Sequence, residues 1–336
     1  MGRSRGYSNY RGRRSKGKAA LAVLLVLVIL AALAVLLLQR HIVYDETGTP
    51  RLEVPWGRET AEDAAQAERV PELDLVVQPP KTPEVHGILL PAGPLTRQVW
   101  ETALAEDPQC DAVAVVLKDG TGTVYAELPS AVAGSTALAE DTASVLTELT
   151  AGEPRTIAAL SCLRDPGAAS ADPAGMGLMT ADGAPFRDGG NSLWLDPAKP
   201  AARQYVCALA VEAAELGFDE LLLTDVGYPT DGPLDQLAAD DAARREALGQ
   251  LLEELRAALE PYGTLVTLQV PADLLTAGAQ EPEGQLLAVL AASADRLCAE
   301  VTPTEATDLS GSLERPFLAL LPEKDPAWTG SYLVLH

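Results

Sequence analysis

Residues 193–229 read LWLDPAKPAARQYVCALAVEAAELGFDELLLTDVGYP. A Trp-Leu-Asp-Pro turn leads into a helical segment. An apolar strand follows that stops at Asp225, then Gly227 and an aromatic-Pro loop. An apolar strand carrying an acid at its carboxyl end is how a parallel β/α barrel builds a site. This stretch therefore predicts both an architecture and the place where chemistry would be found.

Working outward, the same alternation repeats. Short apolar strands are predicted at 87–92, 112–119, 157–165, 220–225, 265–272, 296–302, 317–322 and 332–336. Most are continuously hydrophobic, as parallel strands covered on both faces are. Helical spacing of Ala, Leu and Glu marks 95–106, 136–150, 201–216 and 234–259 between them. Eight strands in about 250 residues fit a (β/α)8 TIM barrel over 87–336. An open doubly wound sheet is the competitor and usually has fewer strands.

The amino terminus differs. Residues 1–18 carry seven Lys or Arg and no acid, and residues 19–38 are an unbroken run of 20 apolar residues. At about 1.5 Å per residue that run spans about 30 Å, a bilayer core. A cleaved signal peptide would have a shorter apolar region and a small-residue cleavage site. Gln39, Arg40, His41 and Ile42 follow instead. The expectation is a single retained transmembrane helix, the 1–18 tail cytoplasmic and the rest extracytoplasmic. Residues 39–86, acidic and closing on Gln-Pro-Pro-Lys-Thr-Pro, read as a stalk with one short polar helix at 59–70.

Charge follows the same division. Residues 41–336 hold 17 basic and 48 acidic residues, a net −31. Nucleic acid is excluded as a partner, because phosphate neutralisation needs Lys and Arg clusters. Anionic lipid and anionic wall polymers are repelled. Cys110, Cys162, Cys207 and Cys298 are widely spaced, and the last three lie in apolar runs as small hydrophobes. No close Cys/His cluster predicts zinc, no cofactor motif appears, and the three histidines, His41, His86 and His336, disfavour a His-based nucleophile.

Four segments carry a resemblance: DAVAVVLKDGTGTVYAELPS at 111–130, TIAALSCLRDP at 156–166, WLDP at 194–197 and GFDELLLTDVGYP at 217–229. In order and spacing they resemble a bacterial membrane-anchored family of glycosyl hydrolase-like domains, related to TIM-barrel glycosidases, whose reaction is unassigned. The resemblance implies a TIM barrel and a carbohydrate-type site. The family strand usually reads Phe-Asp-Glu-Ile-Gln-Phe-Asp-Tyr-Val-Arg-Phe-Pro. Here its second Asp falls on Thr224, its Tyr on Asp225 and its Arg on Gly227. Moving an acid by one residue along a strand reverses its direction, so Asp225 replaces it only if a bulge or strand end re-aims the side chain. A later Tyr-Pro-Ser-His-Tyr-like segment is replaced by Val301-Thr302-Pro303-Thr304.

Glycoside hydrolysis usually uses two carboxyl groups. By strand position the candidates are Asp225 as base or nucleophile and Asp273 as acid. Lys118, Asp119, Arg164, Asp165, Trp194, Asp196 and Tyr228 are candidate substrate contacts. Each has a plainer reading. Asp119, before Gly120, reads first as a turn former, and Asp165-Pro166 and Asp196-Pro197 divide evenly between turn and site roles. Arg164 pairs with a neighbouring acid, the aromatics pack, and Glu220, which starts its strand, belongs to the stability face. Two functions remain open: a membrane-tethered glycosidase-like enzyme acting on polysaccharide, and a catalytically degenerate barrel that binds glycan or an envelope protein.

Overall fold

The structure is a computed structural model describing residues 42–44, 50–52, 82–277, 279–280, 285–313, 315–326 and 328–335. Its strands in the main unit are β1 His86–Leu89, β2 Ala112–Lys118, β3 Arg155–Ser161, β4 Glu220–Thr224, β5 Leu265–Gln269, β6 Arg296–Glu300, β7 Phe317–Leu321 and β8 Tyr332–Leu335. All eight neighbours pair in parallel in chain order, and β8 returns to β1 with Leu333 opposite Gly87, closing a barrel. Every predicted strand is present. Gly87 is required at that seam, because a Cβ there would lie 2.1 Å from the Ala112 carbonyl oxygen.

Two apolar layers explain the continuous hydrophobicity. Ala112, Ala114, Ile157, Ala159, Leu222, Cys298 and Leu320 fill the barrel interior. The alternate residues, such as Val113, Val115, Leu160, Leu221, Leu223 and Leu268, join the cluster formed with the surrounding helices. The period-two alternation of a strand thus places each side chain in one layer or the other.

The helices are α1 Arg97–Glu106, α2 Thr142–Thr150, α3 Pro166–Ala171, α4 Pro200–Glu215, α5 Asp241–Leu259, α6 Ala272–Ala277, α7 Leu287–Ser293 and α8 Pro303–Ser310. The helix expected at 136–150 starts only at Thr142. The one expected at 234–259 divides: Leu234–Gln236 is a 3-10 turn, and Asp240 starts α5 by accepting from the Ala243 N–H at 2.9 Å. In both places local side-chain bonding to the backbone overrides the apolar periodicity. The connection between β7 and β8 carries no helix among the described residues.

The amino-terminal end of the barrel interior is ionic. Buried Glu220 meets Arg155 Nε at 3.1 Å and Arg296 Nε at 3.4 Å, and Thr267 Oγ1 donates to it. Burial lowers the Arg296 pKa, opposed by Glu220. Glu220 thus occupies the stability end, as expected. In a separate unit, Ile42–Tyr44 pairs antiparallel with Pro50–Leu52 within the predicted stalk. The apolar run at 19–38 and the helix expected at 59–70 lie outside the described residues. No described helix is long and apolar enough to cross a membrane.

Candidate active site

The carboxyl ends of β3 to β6 surround a cavity of about 670 Å³. Asp225, Arg164, Trp194, Tyr228, Gln269 and Glu300 are among the residues lining it, with Asp188 and Asp231 at its edge.

Asp225 is placed by an unusual backbone. β4 ends at Thr224, and Asp225 takes φ 51°, in the left-handed region. Asp tolerates this conformation better than most residues, though at a cost. The turn redirects the side chain. Its Oδ2 accepts from the Ser161 hydroxyl at 2.5 Å, a group on the neighbouring strand. Thr224 Oγ1 lies 3.4 Å from the same oxygen. The re-aiming that the shifted acid required is therefore supplied by the strand end. The half-buried carboxylate enters the cavity with one short, charge-assisted bond fixing it.

Arg164, three residues beyond Ser161, brings a cation to the same place. Its Nε lies 3.5 Å from Asp188 Oδ2, and the side chain remains 39% exposed. Gly120 fits between Arg164 and Asp225. A Cβ there would lie 3.2 Å from Arg164 Cδ and 3.4 Å from Asp225 Oδ2. A guanidinium thus reaches the cavity from the segment after β3. Asp188 is held by the Ser192 N–H at 2.7 Å and the Trp194 indole N–H at 2.9 Å. This fixes both Arg164 and Trp194 at the rim. The expected pairing of Arg164 is present, and its partner, Asp188, was not singled out from sequence.

The other sequence candidates separate by position. Lys118 and Asp165 form a buried ion pair at 3.2 Å beneath the mouth. Lys118 also donates to the Ser161 carbonyl at 2.7 Å. Asp165 accepts from the Tyr205 hydroxyl at 2.9 Å and caps α3 through the Ala168 N–H at 2.9 Å. Burial, reinforced by Asp165, pushes the Tyr205 phenol far up. With both charges satisfied and sealed from solvent, the pair supports the floor of the site.

Asp119 is a turn residue. It accepts from the Thr121 N–H, the Thr123 N–H and the Thr121 and Tyr125 hydroxyls. Burial disfavours its charge, but these bonds outweigh burial and hold the carboxyl below its usual range. Asp196 accepts from the Ala198 N–H at 3.0 Å and from Tyr228 at 3.4 Å. Burial raises its pKa despite those bonds and nearby Lys199. Burial and the Asp196 carboxylate push the Tyr228 phenol up in turn. Tyr228 thus walls the cavity while tethered to Asp196 behind it. Asp273 stands exposed in the first turn of α6 and does not line the cavity, although neighbouring Ala272 does.

Cys110, Cys162, Cys207 and Cys298 are all unpaired. Burial pushes the Cys162 thiol up to about 12, which leaves it a small hydrophobe rather than a nucleophile. Among the described residues, no group of three or more His, Cys, Asp or Glu side chains is arranged to hold a metal ion.

A closed parallel barrel with a carboxylate-lined cavity at its strand ends defines a (β/α)8 TIM-barrel domain with its candidate site on the face where such barrels carry theirs. The chain belongs to the family described as "Putative glycosyl hydrolase domain", whose model matches residues 96–318. Among solved structures, it is similar to the PgaB (BpsB) glycoside hydrolase domain from Bordetella bronchiseptica. That match has 16% identity and a TM-score of 0.50, covering 71% of this chain and 84% of that one. It is also similar to the Flavobacterium johnsoniae chitobiase, with 13% identity and a TM-score of 0.50 over 74% of this chain and 44% of that one. A hypothetical protein from Ruminiclostridium thermocellum is 22% identical, with a TM-score of 0.42 over 52% of this chain and 91% of that one. No curated protein matches the sequence. At these identities the structural likenesses bear on the fold alone.

Proposed function

We propose that this is a glycoside hydrolase-like domain acting on polysaccharide, held at the outer face of a membrane by residues 19–38. The observation that carries the reading is the left-handed backbone at Asp225, which turns its carboxylate into the barrel mouth beside Arg164. Non-glycine residues in that conformation are retained where the surroundings over-determine them, and such sites cluster at functional positions. Asp225 is the carboxylate that acts at the anomeric centre. Arg164 and Trp194 form a donor and a ring face for sugar hydroxyls and ring carbons. Family membership and the barrel support the glycan class.

The test uses the full chain in detergent with chitin oligomers, chitosan, β-glucan and a galactosamine polymer, measuring new reducing ends and binding together. Release by the wild type, abolished in Asp225→Asn, is the expected result. Thr224 and Gly227, standing where the family has Asp and Arg, favour a second reading as a degenerate binder. Binding with no release, unchanged in Asp225→Asn, would support it. For the anchor, partition of the full chain into membranes and of a 41–336 fragment into the soluble fraction is expected. External protease accessibility of the barrel tests its side.

A further inference from the structure

The glycosidase reading assigns one carboxylate, and the reaction usually needs two. The barrel's own alternation locates a second. Ile157 and Ala159 in β3, Leu222 in β4 and Cys298 in β6 face the interior. Two residues further along each strand, the same face presents Ser161, Thr224 and Glu300. In β5, Thr267 bonds interior Glu220, so Gln269 faces inward as well. In β2, half-buried Val116 belongs to the interior layer, but a bulge after it pairs Lys118 with Leu160, which turns Lys118 toward the helix layer. The interior-facing residues at the mouth on β3 to β6 are thus Ser161, Thr224, Gln269 and Glu300.

Of these four, Glu300 is the one acid. It is exposed and borders the same cavity as Asp225. Among the described residues, no donor lies within hydrogen-bonding or ion-pairing reach of its carboxylate. Lys118 is committed to Asp165.

The register sets the spacing. Leu223 pairs with Leu268, and Leu268 with Leu297. Asp225 is therefore level with Ala299, and Glu300 stands one residue nearer the mouth. β5 separates the two strands, so at about 4.8 Å per neighbour their backbones lie roughly 10 Å apart. Side chains reaching inward from both bring the carboxyl groups toward the roughly 6.5–9.5 Å of a pair that admits a water.

Resting on the glycosidase reading, we propose that Glu300 is the proton donor that works opposite Asp225. Protonated Glu300 gives its proton to the glycosidic oxygen as the bond from that oxygen to the anomeric carbon breaks. Water adds to the anomeric carbon and loses its proton to Asp225. One glycoside and one water become a hemiacetal and an alcohol, and solvent returns the proton from Asp225 to Glu300.

The experiment compares wild type, Glu300→Gln and Asp225→Asn on a chitin pentamer and on 2,4-dinitrophenyl N-acetylglucosaminide. The latter's leaving group needs little protonation. Circular dichroism and melting confirm folding, and Glu300→Asp tests whether a shorter acid restores part of the rate. Glu300→Gln is expected to slow pentamer cleavage by about 10²–10⁴-fold, the usual worth of a general acid. It should slow the aryl glycoside by less than about tenfold, with the acid-dependent limb of the pH profile lost, while Asp225→Asn loses both substrates. Equal losses on both substrates in Glu300→Gln would make it a binding or structural residue and overturn the proposal. An unchanged pentamer rate would overturn it and leave the glycosidase reading standing. A wild type inert on both probes and on all four polymers would overturn the glycosidase reading and this proposal together.

Discussion

Replacing Asp225 with Gly and with Ala separates its backbone role from its chemical one. Its φ of 51° costs an ordinary side chain about 1–2 kcal/mol, and less for Asp or Asn. Its bond from Ser161 contributes about 1.5–3 kcal/mol in the charge-assisted range. Ser161 Oγ also lies 3.1 Å from the Arg164 carbonyl, so when the carboxylate is removed the hydroxyl keeps a partner. The loss therefore falls near the lower figure. Asp225→Gly relieves the backbone while losing that bond, leaving a net destabilisation of about 1 kcal/mol. Asp225→Ala loses the same bond and adds strain, reaching about 2–3 kcal/mol. The Gly variant should melt about 2–8 °C above the Ala variant in a calorimetric scan. Both should lack activity, and Asp225→Asn should be inactive with near wild-type stability. An Ala variant as stable as the Gly variant would mean that residue 225 is not left-handed. The re-aimed carboxylate would fall with it.

Removing Glu220 leaves Arg155 and Arg296 facing each other without their shared counter-charge. Glu220→Ala should cost about 3–5 kcal/mol in denaturant unfolding, with no specific effect on glycan binding beyond the loss of fold. Asp119 has a depressed folded pKa, so its stabilisation is complete above its unfolded value and is lost as pH falls through the folded one. Wild type should therefore exceed Asp119→Asn in stability at neutral pH. The two melting curves should converge as pH drops from about 3.9. Among the described residues that line the mouth, Asp188, Asp225, Asp231 and Glu300 outnumber the one cation, Arg164. Uronate-containing glycans should bind more weakly than neutral ones of equal length, and titration in rising salt should narrow that gap.

The sequence carried the architecture because buried parallel strands leave an unmistakable trace. Each apolar run from 112 to 335 became a barrel strand, and Glu220 fell at the stability end. The site was only partly legible. Asp225 was identifiable as a strand-end acid, but its direction depended on one backbone angle that no residue pattern encodes. Asp188 sits in a tight loop whose meaning comes from Arg164 and Trp194 across it. Lys118 and Asp165 read separately as strand-end candidates, and their buried ion pair makes them a floor rather than a contact surface. Asp273 followed the correct strand but stands on the helix after it. Glu300 had a usable signal, two residues beyond interior Cys298. Reading it needed the inward face of β6 to be known first.

The seam between β1 and β8 has a consequence for biosynthesis. The Val85 N–H donates to the Ser331 hydroxyl at 3.2 Å across a sequence separation of 246 residues. During translation, His86–Leu89 therefore waits for nearly the whole domain before its second neighbour emerges. Until then the nascent sheet has two raw borders able to recruit foreign chains. Such distant pairing also slows folding. Deleting Tyr332–Leu335 would leave those borders open permanently and turn a self-contained ring into a template for aggregation.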